Sequence, residues 1–108
     1  MRRTEQIARH AQTSEKALER YLVSQAHDNG LVCLKYFNAH EAGYPDRILL
    51  LPEGRVLWVE LKSAGCKPTA LQHYRIKSLR QHGHRVVVAD SREVIDAIFS
   101  ELLFDGMI

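Results

Sequence analysis

The chain has 108 residues, of which 45% are hydrophobic and 26% charged, and a formal net charge of +2. This composition fits one globular domain spanning residues 1–108. It excludes a membrane span, because no segment approaches the roughly 20 apolar residues that such a span needs. The N-terminus lacks the apolar core of a signal peptide, so we expect a cytoplasmic protein without a membrane partner. Cys33 and Cys66 have no Cys or His neighbours at zinc-ligand spacing, which argues against a zinc site.

The first predicted element is a helix that begins near Ser14 and ends before Asn29. Its apolar residues recur at every fourth position and would share one face: Leu18, Leu22 and Ala26. Residues 1–12 include three arginines. They are predicted to form either a flexible basic arm or an extra helical turn.

Three strands are predicted after this helix. Leu31–Phe37 is the first, and Asn38–Pro45 forms a loop behind it. Arg47–Leu51 and Arg55–Leu61 are apolar runs separated by Pro52–Gly54, a sequence typical of a tight turn. The second and third strands are therefore expected to form a hairpin.

The second half of the chain is predicted to form a helix, a strand and a helix. Thr69 and Gln72 fit a capping box at the start of a helix that ends at Gly83. Arg85–Ala89 is rich in β-branched residues and predicts a strand, and Asp90–Glu93 resembles a second helix cap. The order α-β-β-β-α-β-α then predicts an α/β fold, with a mixed sheet flanked by helices on both faces.

Positive charge is concentrated in this second half. The segment from Lys62 to Ala89 contains no Asp or Glu and six basic residues: Lys62, Lys67, Arg75, Lys77, Arg80 and Arg85. A basic face on an otherwise balanced domain indicates a polyanionic partner. A solvated charged helix is the alternative that charge alone leaves open.

Two carboxylates and a lysine are predicted to meet at one end of the hairpin. Glu60 and Lys62 lie two positions apart on a strand, so their side chains project to the same face, while Val59 and Leu61 point to the opposite layer. Asp46 immediately precedes the partner strand. A tight hairpin therefore returns Glu60 and Lys62 to the side of Asp46.

This set of residues suits the hydrolysis of a phosphodiester bond. Two carboxylates can hold a hard cation such as Mg²⁺, and the backbone carbonyl of Leu61 could add a ligand. A lysine beside them can orient water or stabilise developing negative charge. The alternative is a weak Glu–Lys surface pair on a sheet edge. It is disfavoured because Glu60 interrupts VLWVEL, a run that is predicted to be buried.

The series GYPDR, hairpin, VELK, Thr-x-x-Gln helix and Gly83 before a strand closely resembles the virus-type replication-repair nuclease (VRR-NUC) domains of the PD-(D/E)xK nuclease superfamily. The resemblance runs from about Ser14 to Val88, so the chain resembles a stand-alone member of that family. It implies a restriction-endonuclease-like core and nuclease activity. Tyr44 departs from the small aliphatic residue that usually precedes the proline.

The resemblance also implies roles for the central residues. Asp46 and Glu60 would be ligands of Mg²⁺ or Mn²⁺, and Lys62 would be the catalytic lysine. Gln72 matches the glutamine of the family's helix. Its spacing from Ile76 supports an inward position independently, although a buried glutamine satisfied by backbone groups is the alternative.

An acid on the first helix also belongs to the family pattern. Glu15 matches it best, and Glu19 follows one turn later. The alternative for Glu15 is an ordinary favourable acid in the first turn of a helix.

Five residues are candidate contacts to nucleic acid. Lys35 matches a family lysine, although a solvated lysine is equally consistent with its position, and Tyr44 could stack on a base or sugar. The full set is Lys35, Tyr44, Arg47, Lys67 and Arg75.

These features, together with the resemblance, predict a Mg²⁺- or Mn²⁺-dependent DNA endonuclease, and the resemblance implies a preference for branched DNA such as four-way (Holliday) junctions. A non-catalytic DNA-binding module and a sequence-specific, restriction-like module are the alternatives. We also expect a homodimer, because symmetric cutting of a junction needs two sites at a fixed separation. The segment Ile98–Phe104 has apolar residues on more than one helix face, which suits an interface or the closing of the chain's own core.

Overall fold

The computed structural model describes the backbone of residues 2–108 and the side chains from residue 15 onward. Within that range the elements follow the predicted α-β-β-β-α-β-α order, which confirms the α/β fold class. The helices are α1 (Arg2–Asp28), α2 (Ala70–Gln81) and α3 (Arg92–Phe104). The strands are β1 (Val32–Lys35), β2 (Arg47–Leu50), β3 (Val56–Leu61) and β4 (Arg85–Ala89).

The start of α1 differs from the prediction. The helix begins at Arg2 rather than near Ser14, because residues 2–13 contain neither Gly nor Pro and so give the helix no reason to stop. The expected basic arm of residues 1–12 lies outside the residues whose side chains are described. Within the described residues, no helix is long and apolar enough to cross a membrane.

The four strands form one mixed sheet in the order β1-β2-β3-β4. β1, β2 and β3 pair antiparallel, with Lys35 opposite Arg47 and Arg47 opposite Val59. β4 joins β3 in parallel, with Val87 opposite Val59. The expected hairpin is therefore present, and the segment carrying α2 makes the crossover from β3 to β4.

The turn of the hairpin is a short 3₁₀ segment, Pro52–Gly54. Glu53 and Gly54 both have positive φ angles, of 65° and 74°. Glycine adopts that conformation freely, but glutamate does so at a cost. Leu51 N–H donates to the carbonyl of Arg55 at 2.8 Å and closes the turn.

Helices cover both faces of the sheet, as predicted. On the first face, α1 and α3 enclose the main core, in which Leu22, Leu49 and Ile95 are fully buried. On the second face, α2 covers a smaller cluster of four buried residues: Trp58, Ile76, Leu79 and Val86. Val59 and Leu61 belong to the first core and Trp58 to the second, so the alternation expected along β3 is confirmed.

Helix α3 begins at a cap in which the Ser91 hydroxyl accepts a hydrogen bond from Val94 N–H at 3.2 Å. Its apolar residues divide into two groups. Ile98, Phe99 and Leu102 are buried in the main core, while Leu103 and Phe104 are 56% and 91% exposed. Most of the segment therefore closes the chain's own core, and its last two residues remain at the surface.

Candidate active site

The sheet itself brings Asp46 and Glu60 together. Tyr36 N–H donates to the backbone carbonyl of Asp46 at 2.7 Å, which extends the pairing of β1 with β2 by one residue. Because Arg47 is opposite Val59, the same register places Asp46 opposite Glu60. Directly opposed residues of an antiparallel pair project to the same face, so the two carboxylates share one side of the sheet.

Glu60 is buried, with an exposed fraction of 1%. One of its carboxylate oxygens, Oε1, accepts a hydrogen bond from Gln72 Nε2 at 3.2 Å. The other, Oε2, is buried without a hydrogen-bond partner in the described part of the chain. A buried carboxylate oxygen without a partner destabilises the fold and calls for an explanation.

Gln72 is fixed by the helix cap that the sequence predicted. The Thr69 hydroxyl accepts from Gln72 N–H at 3.2 Å, and the Gln72 side-chain oxygen accepts from Thr69 N–H at 2.9 Å. With its oxygen held by the cap, the amide directs its nitrogen to Glu60. Gln72 therefore does both things that the sequence offered as alternatives. Its side-chain oxygen satisfies a backbone N–H, and its nitrogen contacts Glu60.

Burial and nearby negative charge raise the pKa values of both central carboxylates. Burial raises the pKa of Glu60 to about 7, and the charge of Asp46 adds to the shift, while the Lys62 ammonium opposes it. Burial is also the main cause that raises the pKa of Asp46, and the charges of Glu15 and Glu19 raise it further. The charges of Lys35 and Lys62 lower it. Negative charge in this site is thus only partly compensated by the chain's own cations.

The two acids on α1 have different surroundings. Glu15 accepts a hydrogen bond from Ser63 Oγ at 3.2 Å, and its charge raises the pKa values of both Asp46 and Glu60. Glu19 instead accepts from Arg47 Nε at 3.3 Å and lies 3.9 Å from Lys35 Nζ. The charge of Glu19 is therefore offset locally, and Glu15 is the first-helix acid that acts on both carboxylates.

A hard divalent cation fits the central donors. No group of three or more His, Cys, Asp or Glu side chains within the described residues is spaced to hold a metal by itself. Mg²⁺, however, is commonly bound by only one or two carboxylates, together with waters and substrate phosphates. Asp46 and the free Oε2 of Glu60 offer such a pair, and the backbone carbonyl of Leu61 follows Glu60 directly in the chain.

The predicted lysines differ in accessibility. Lys62 is half-buried, and its ammonium acts on both Asp46 and Glu60. The Lys35 side chain is 66% exposed despite its proximity to Glu19, and Lys67 is exposed in the loop before α2. Lys35 and Lys67 are thus accessible to a phosphate backbone.

The other predicted nucleic-acid contacts are engaged within the chain. The Arg47 side chain is 15% exposed and paired with Glu19. Arg75 Nε donates to the carbonyl of Ala42 at 2.9 Å, and its guanidinium lies 4.9 Å from the centre of the Tyr44 ring. Tyr44 is half-buried beneath it, so Arg75 and Tyr44 shape the loop before β2.

Two features of the site were missed by the sequence interpretation. The first is Ser63, which is 7% exposed and donates a hydrogen bond to Glu15. Its position directly after Glu60-Leu61-Lys62 could have indicated that it belongs to the site. Tyr36 packs edge-to-face against Trp58, with ring centroids 5.1 Å apart. The adjacent aromatics Tyr36-Phe37 at the end of a strand were the signal for this second feature.

Comparison with known proteins bears directly on this arrangement. Over 83 residues the chain is 37% identical to "Putative nuclease p44" of Acyrthosiphon pisum secondary endosymbiont phage 1, a match that covers 74% of this chain and 86% of the relative. A solved structure described as "VRR_NUC domain" matches with a TM-score of 0.76 and 25% identity, covering 81% of this chain and 95% of that one. The chain belongs to the VRR-NUC family.

A second solved structure, described as "VRR_NUC domain protein", matches with a TM-score of 0.55 and 28% identity over 65% of this chain and 66% of that one. No family model matches the chain. The resemblance expected from GYPDR and VELK is nevertheless confirmed by the relative and by both structures. Membership of the VRR-NUC family makes the chain a nuclease, with nucleic acid as its substrate.

Proposed function

We propose that this VRR-NUC domain is a Mg²⁺- or Mn²⁺-dependent DNA endonuclease with its reaction centre at Asp46, Glu60 and Lys62. The observation that carries the proposal is the buried, unpartnered Oε2 of Glu60 beside a second carboxylate. A divalent cation would bind to Asp46 and Glu60, polarise the scissile phosphate and acidify the attacking water. Without a cation, two carboxylates would repel the phosphate that a nuclease must bind.

Each neighbouring residue has a task that follows from its contacts. Gln72 holds Glu60 through Oε1 and so leaves Oε2 free for a ligand. The Lys62 ammonium, whose charge acts on both Asp46 and Glu60, would stabilise negative charge that develops on the phosphate, or would orient water. Glu15, held by Ser63, contributes a third negative charge that strengthens the attraction for a cation.

The decisive experiment measures cleavage of branched DNA with Mg²⁺, Mn²⁺, Ca²⁺ or EDTA. We expect turnover with Mg²⁺ and Mn²⁺, and binding with little turnover in Ca²⁺, whose coordination geometry is looser. Asp46→Asn, Glu60→Gln and Lys62→Gln should each lower kcat by about 10²–10³-fold, the usual effect of removing a charge-stabilising group. Full activity in EDTA would rule out the metal mechanism.

Glu101→Gln is the matched control for the acidic variants. Glu101 is an exposed acid on α3, in the layer opposite α2. Its replacement should leave cleavage unchanged, which separates the loss of a site carboxylate from the loss of any negative charge. Two results would favour the alternatives: DNA binding without cleavage in any cation indicates a non-catalytic module, and cleavage at one base sequence indicates a restriction-like enzyme.

Accessible positive charge supports DNA as the bound polyanion. Lys35 and Lys67 are exposed, and Lys77 and Arg80 line a shallow cleft of about 440 Å³ on α2. Cations that contact phosphates release condensed counterions, so the binding constant should fall steeply with salt. Lys67→Gln should reduce the slope of log K against log[salt] by about 0.9, the value for one lost phosphate contact on duplex DNA.

A two-fold dimer acting on four-way junctions is the finer part of the proposal. One domain has one site, and paired cuts need two sites at a fixed separation. Leu103 and Phe104, exposed at the end of α3, are the apolar residues that we assign to the interface. Exposed apolar residues also lie on β1, where Val32 is 53% and Leu34 44% exposed, and they are the rival surface.

Sedimentation at micromolar concentration tests the dimer. We expect a dimeric mass that Leu103→Gln with Phe104→Ser converts to a monomeric mass, whereas Val32→Thr with Leu34→Thr does not. A monomeric wild type removes the dimer, and the opposite pattern moves the interface to β1. Equal nicking rates on a four-way junction and on the matching linear duplex would remove the junction preference.

A further inference from the structure

A small cleft opens beside the reaction centre, between the end of β1 and the start of β2. Its volume is about 210 Å³, and Asp46 belongs to its lining. The other residues that matter here are Tyr36, Phe37, Asn38, Glu41 and Tyr44. The volume is below the roughly 300–1,000 Å³ of a site for a drug-sized ligand, so the cleft suits a single planar ring system.

The aromatic wall of this cleft is rigid. The ring of Tyr44 packs against Tyr36 and Trp58, with centroids 5.8 and 6.3 Å away. The Arg75 guanidinium stacks over Tyr44 from α2. Both tyrosines therefore belong to the packed cluster beneath α2, and they cannot turn away from the cleft without disturbing that cluster.

The loop that forms the rest of the cleft is also held in place. Gly43 has a φ of 94°, and a Cβ at that position would lie 2.7 Å from Leu71 Cγ, so the loop backbone is pressed against α2. Asn38 Oδ1 accepts hydrogen bonds from His40 and Glu41 N–H, both at 3.0 Å. A cleft built in this way exists before any ligand binds.

Phe37 differs from the packed tyrosines of the cleft, because its side chain is 84% exposed. A phenyl ring left in water beside a nuclease site gains by stacking on another flat apolar surface. The preceding residue offers a polar group: Asn38 Nδ2 donates to the Tyr36 hydroxyl at 3.1 Å. Since that oxygen accepts from Asn38, the hydroxyl proton of Tyr36 is free to be donated to a ligand.

The charges in the cleft identify the part of the substrate that fits. Glu41 and Asp46 both line it, so a phosphate is repelled from its interior. A nucleobase is neutral, planar and rich in hydrogen-bond acceptors. It is also the part of the substrate that lies within reach of a phosphate held at Asp46.

We propose that this cleft receives one unpaired nucleobase next to the scissile phosphate, with Phe37 as the stacking platform and the Tyr36 hydroxyl as a hydrogen-bond donor. The inference rests on the proposed function, because it assumes that the phosphate lies at Asp46. It adds a requirement of its own: a base that remains paired cannot enter, so the base at the cleavage position must be unpaired or must leave its partner at the branch point.

The test uses two branched DNAs that differ at one unpaired position, which carries either 2-aminopurine or an abasic site. Wild-type protein should cleave the DNA with the base about 5- to 150-fold more efficiently in kcat/KM, the range for stacking of one base on an aromatic side chain. Phe37→Ala should lose that factor on the base-containing DNA and cleave the abasic DNA like wild type. Phe37→Tyr should restore the preference.

The matched control is Tyr74→Ala, since Tyr74 is a 64%-exposed aromatic on α2 outside the cleft. It should retain the preference. Binding in Ca²⁺ gives a second readout, in which wild type quenches 2-aminopurine fluorescence and Phe37→Ala does not. Equal cleavage of the two DNAs by wild type, or an equal loss on both in Phe37→Ala, overturns the base-binding cleft and leaves the nuclease intact. Absence of cleavage from all DNAs would overturn the proposed function instead, and the fluorescence titration still decides on the cleft.

Discussion

The two faces of the sheet differ in how much apolar surface they bury. Among the residues whose side chains are described, thirteen buried apolar residues close the face beneath α1 and α3, whereas four form the cluster beneath α2. On this second face the apolar cluster gives way to Tyr36, Tyr44 and the buried Glu60. One face thus supplies most of the hydrophobic stabilisation, and the other accommodates a carboxylate that destabilises the fold.

The contrast follows from the position of α2. Only Ile76 and Leu79 of this helix are buried, and its first turn presents Gln72 to the sheet instead of an apolar side chain. The part of the sheet nearest that turn is therefore open to polar chemistry. A chain of 108 residues has limited apolar surface to bury, so the cost of a buried charge must be offset by the hydrophobic burial on the opposite face.

The largest effect is expected when one buried side chain is truncated on each face and the two losses of stability are compared. Leu49→Ala removes a fully buried side chain from the main core, and we expect unfolding free energy to fall by about 3–5 kcal/mol. Ile76→Ala, in the four-residue cluster, should cost about 2 kcal/mol, because the smaller cluster can collapse around the gap. Urea unfolding monitored by circular dichroism measures both. Equal losses would show that the two faces contribute alike.

The second test concerns Glu60, which should stabilise the fold when its charge is removed. The pKa of this group rises from its ordinary 4.5 to about 7 in the folded chain. The free energy of unfolding is therefore unaffected by the ionisation of Glu60 below pH 4.5 and falls as the pH rises from 4.5 to 7. Above pH 7 it is lowered by the full amount. A shift of this size corresponds to about 3 kcal/mol. Glu60→Gln should be more stable than wild type by roughly that amount at pH 8 in EDTA, and much less so at pH 4.

Divalent cation should reverse this difference. At pH 8, Mg²⁺ should raise the Tm of the wild type, because it binds the ionised carboxylate in the folded state only. The Glu60→Gln variant should show little change in Tm. A wild type that is the more stable protein in EDTA at pH 8 would contradict the assignment of Glu60 as a buried, uncompensated charge.

The side-chain caps of α2 and α3 provide the third and smaller test. Thr69 caps α2 and Ser91 caps α3, each through a hydroxyl that accepts a backbone N–H at 3.2 Å. Thr69→Ala and Ser91→Ala should each cost about 1 kcal/mol. Only Thr69→Ala should also lower kcat, by about tenfold, because its cap fixes the turn from which Gln72 holds Glu60. Thr69→Ser should restore activity, and equal activity in the two alanine variants would separate the cap from the site.

The sequence predicted best what depends on local pattern. β4 was predicted without error, and the capping box at Thr69 was recognised from residue types alone. The burial of Glu60 followed from its place inside VLWVEL. The start of α1 was wrong because residues 2–13 contain no glycine or proline that would end the helix before Ser14.

What the sequence left open depends on contacts between distant segments. Glu15 and Glu19 lie one turn apart and look equivalent in the sequence. The register that brings Arg47 to Glu19, and the end of β3 that brings Ser63 to Glu15, distinguish them. The aromatic cleft likewise requires the loop before β2 to pack on α2, which no local pattern encodes.

The smallest expected effect is at the far end of the hairpin, where neither face is involved. Glu53 has a φ of 65°, a conformation that costs a non-glycine residue about 1–2 kcal/mol. Glu53→Gly relieves this cost but adds freedom to the unfolded chain, so we expect a net gain in unfolding free energy of about 0.5–1 kcal/mol.

The Glu53 carboxylate also lies 3.5 Å from Arg55 Nη2, with 82% of the Glu53 side chain exposed, and such exposed pairs contribute little. Glu53→Gln removes the pair and keeps the backbone strain, so it should match wild type in urea unfolding. Because the turn lies at the end of the hairpin opposite Asp46 and Glu60, both variants should cleave DNA at the wild-type rate. A loss of stability in Glu53→Gly that Glu53→Gln shares would assign the effect to the ion pair rather than to the backbone.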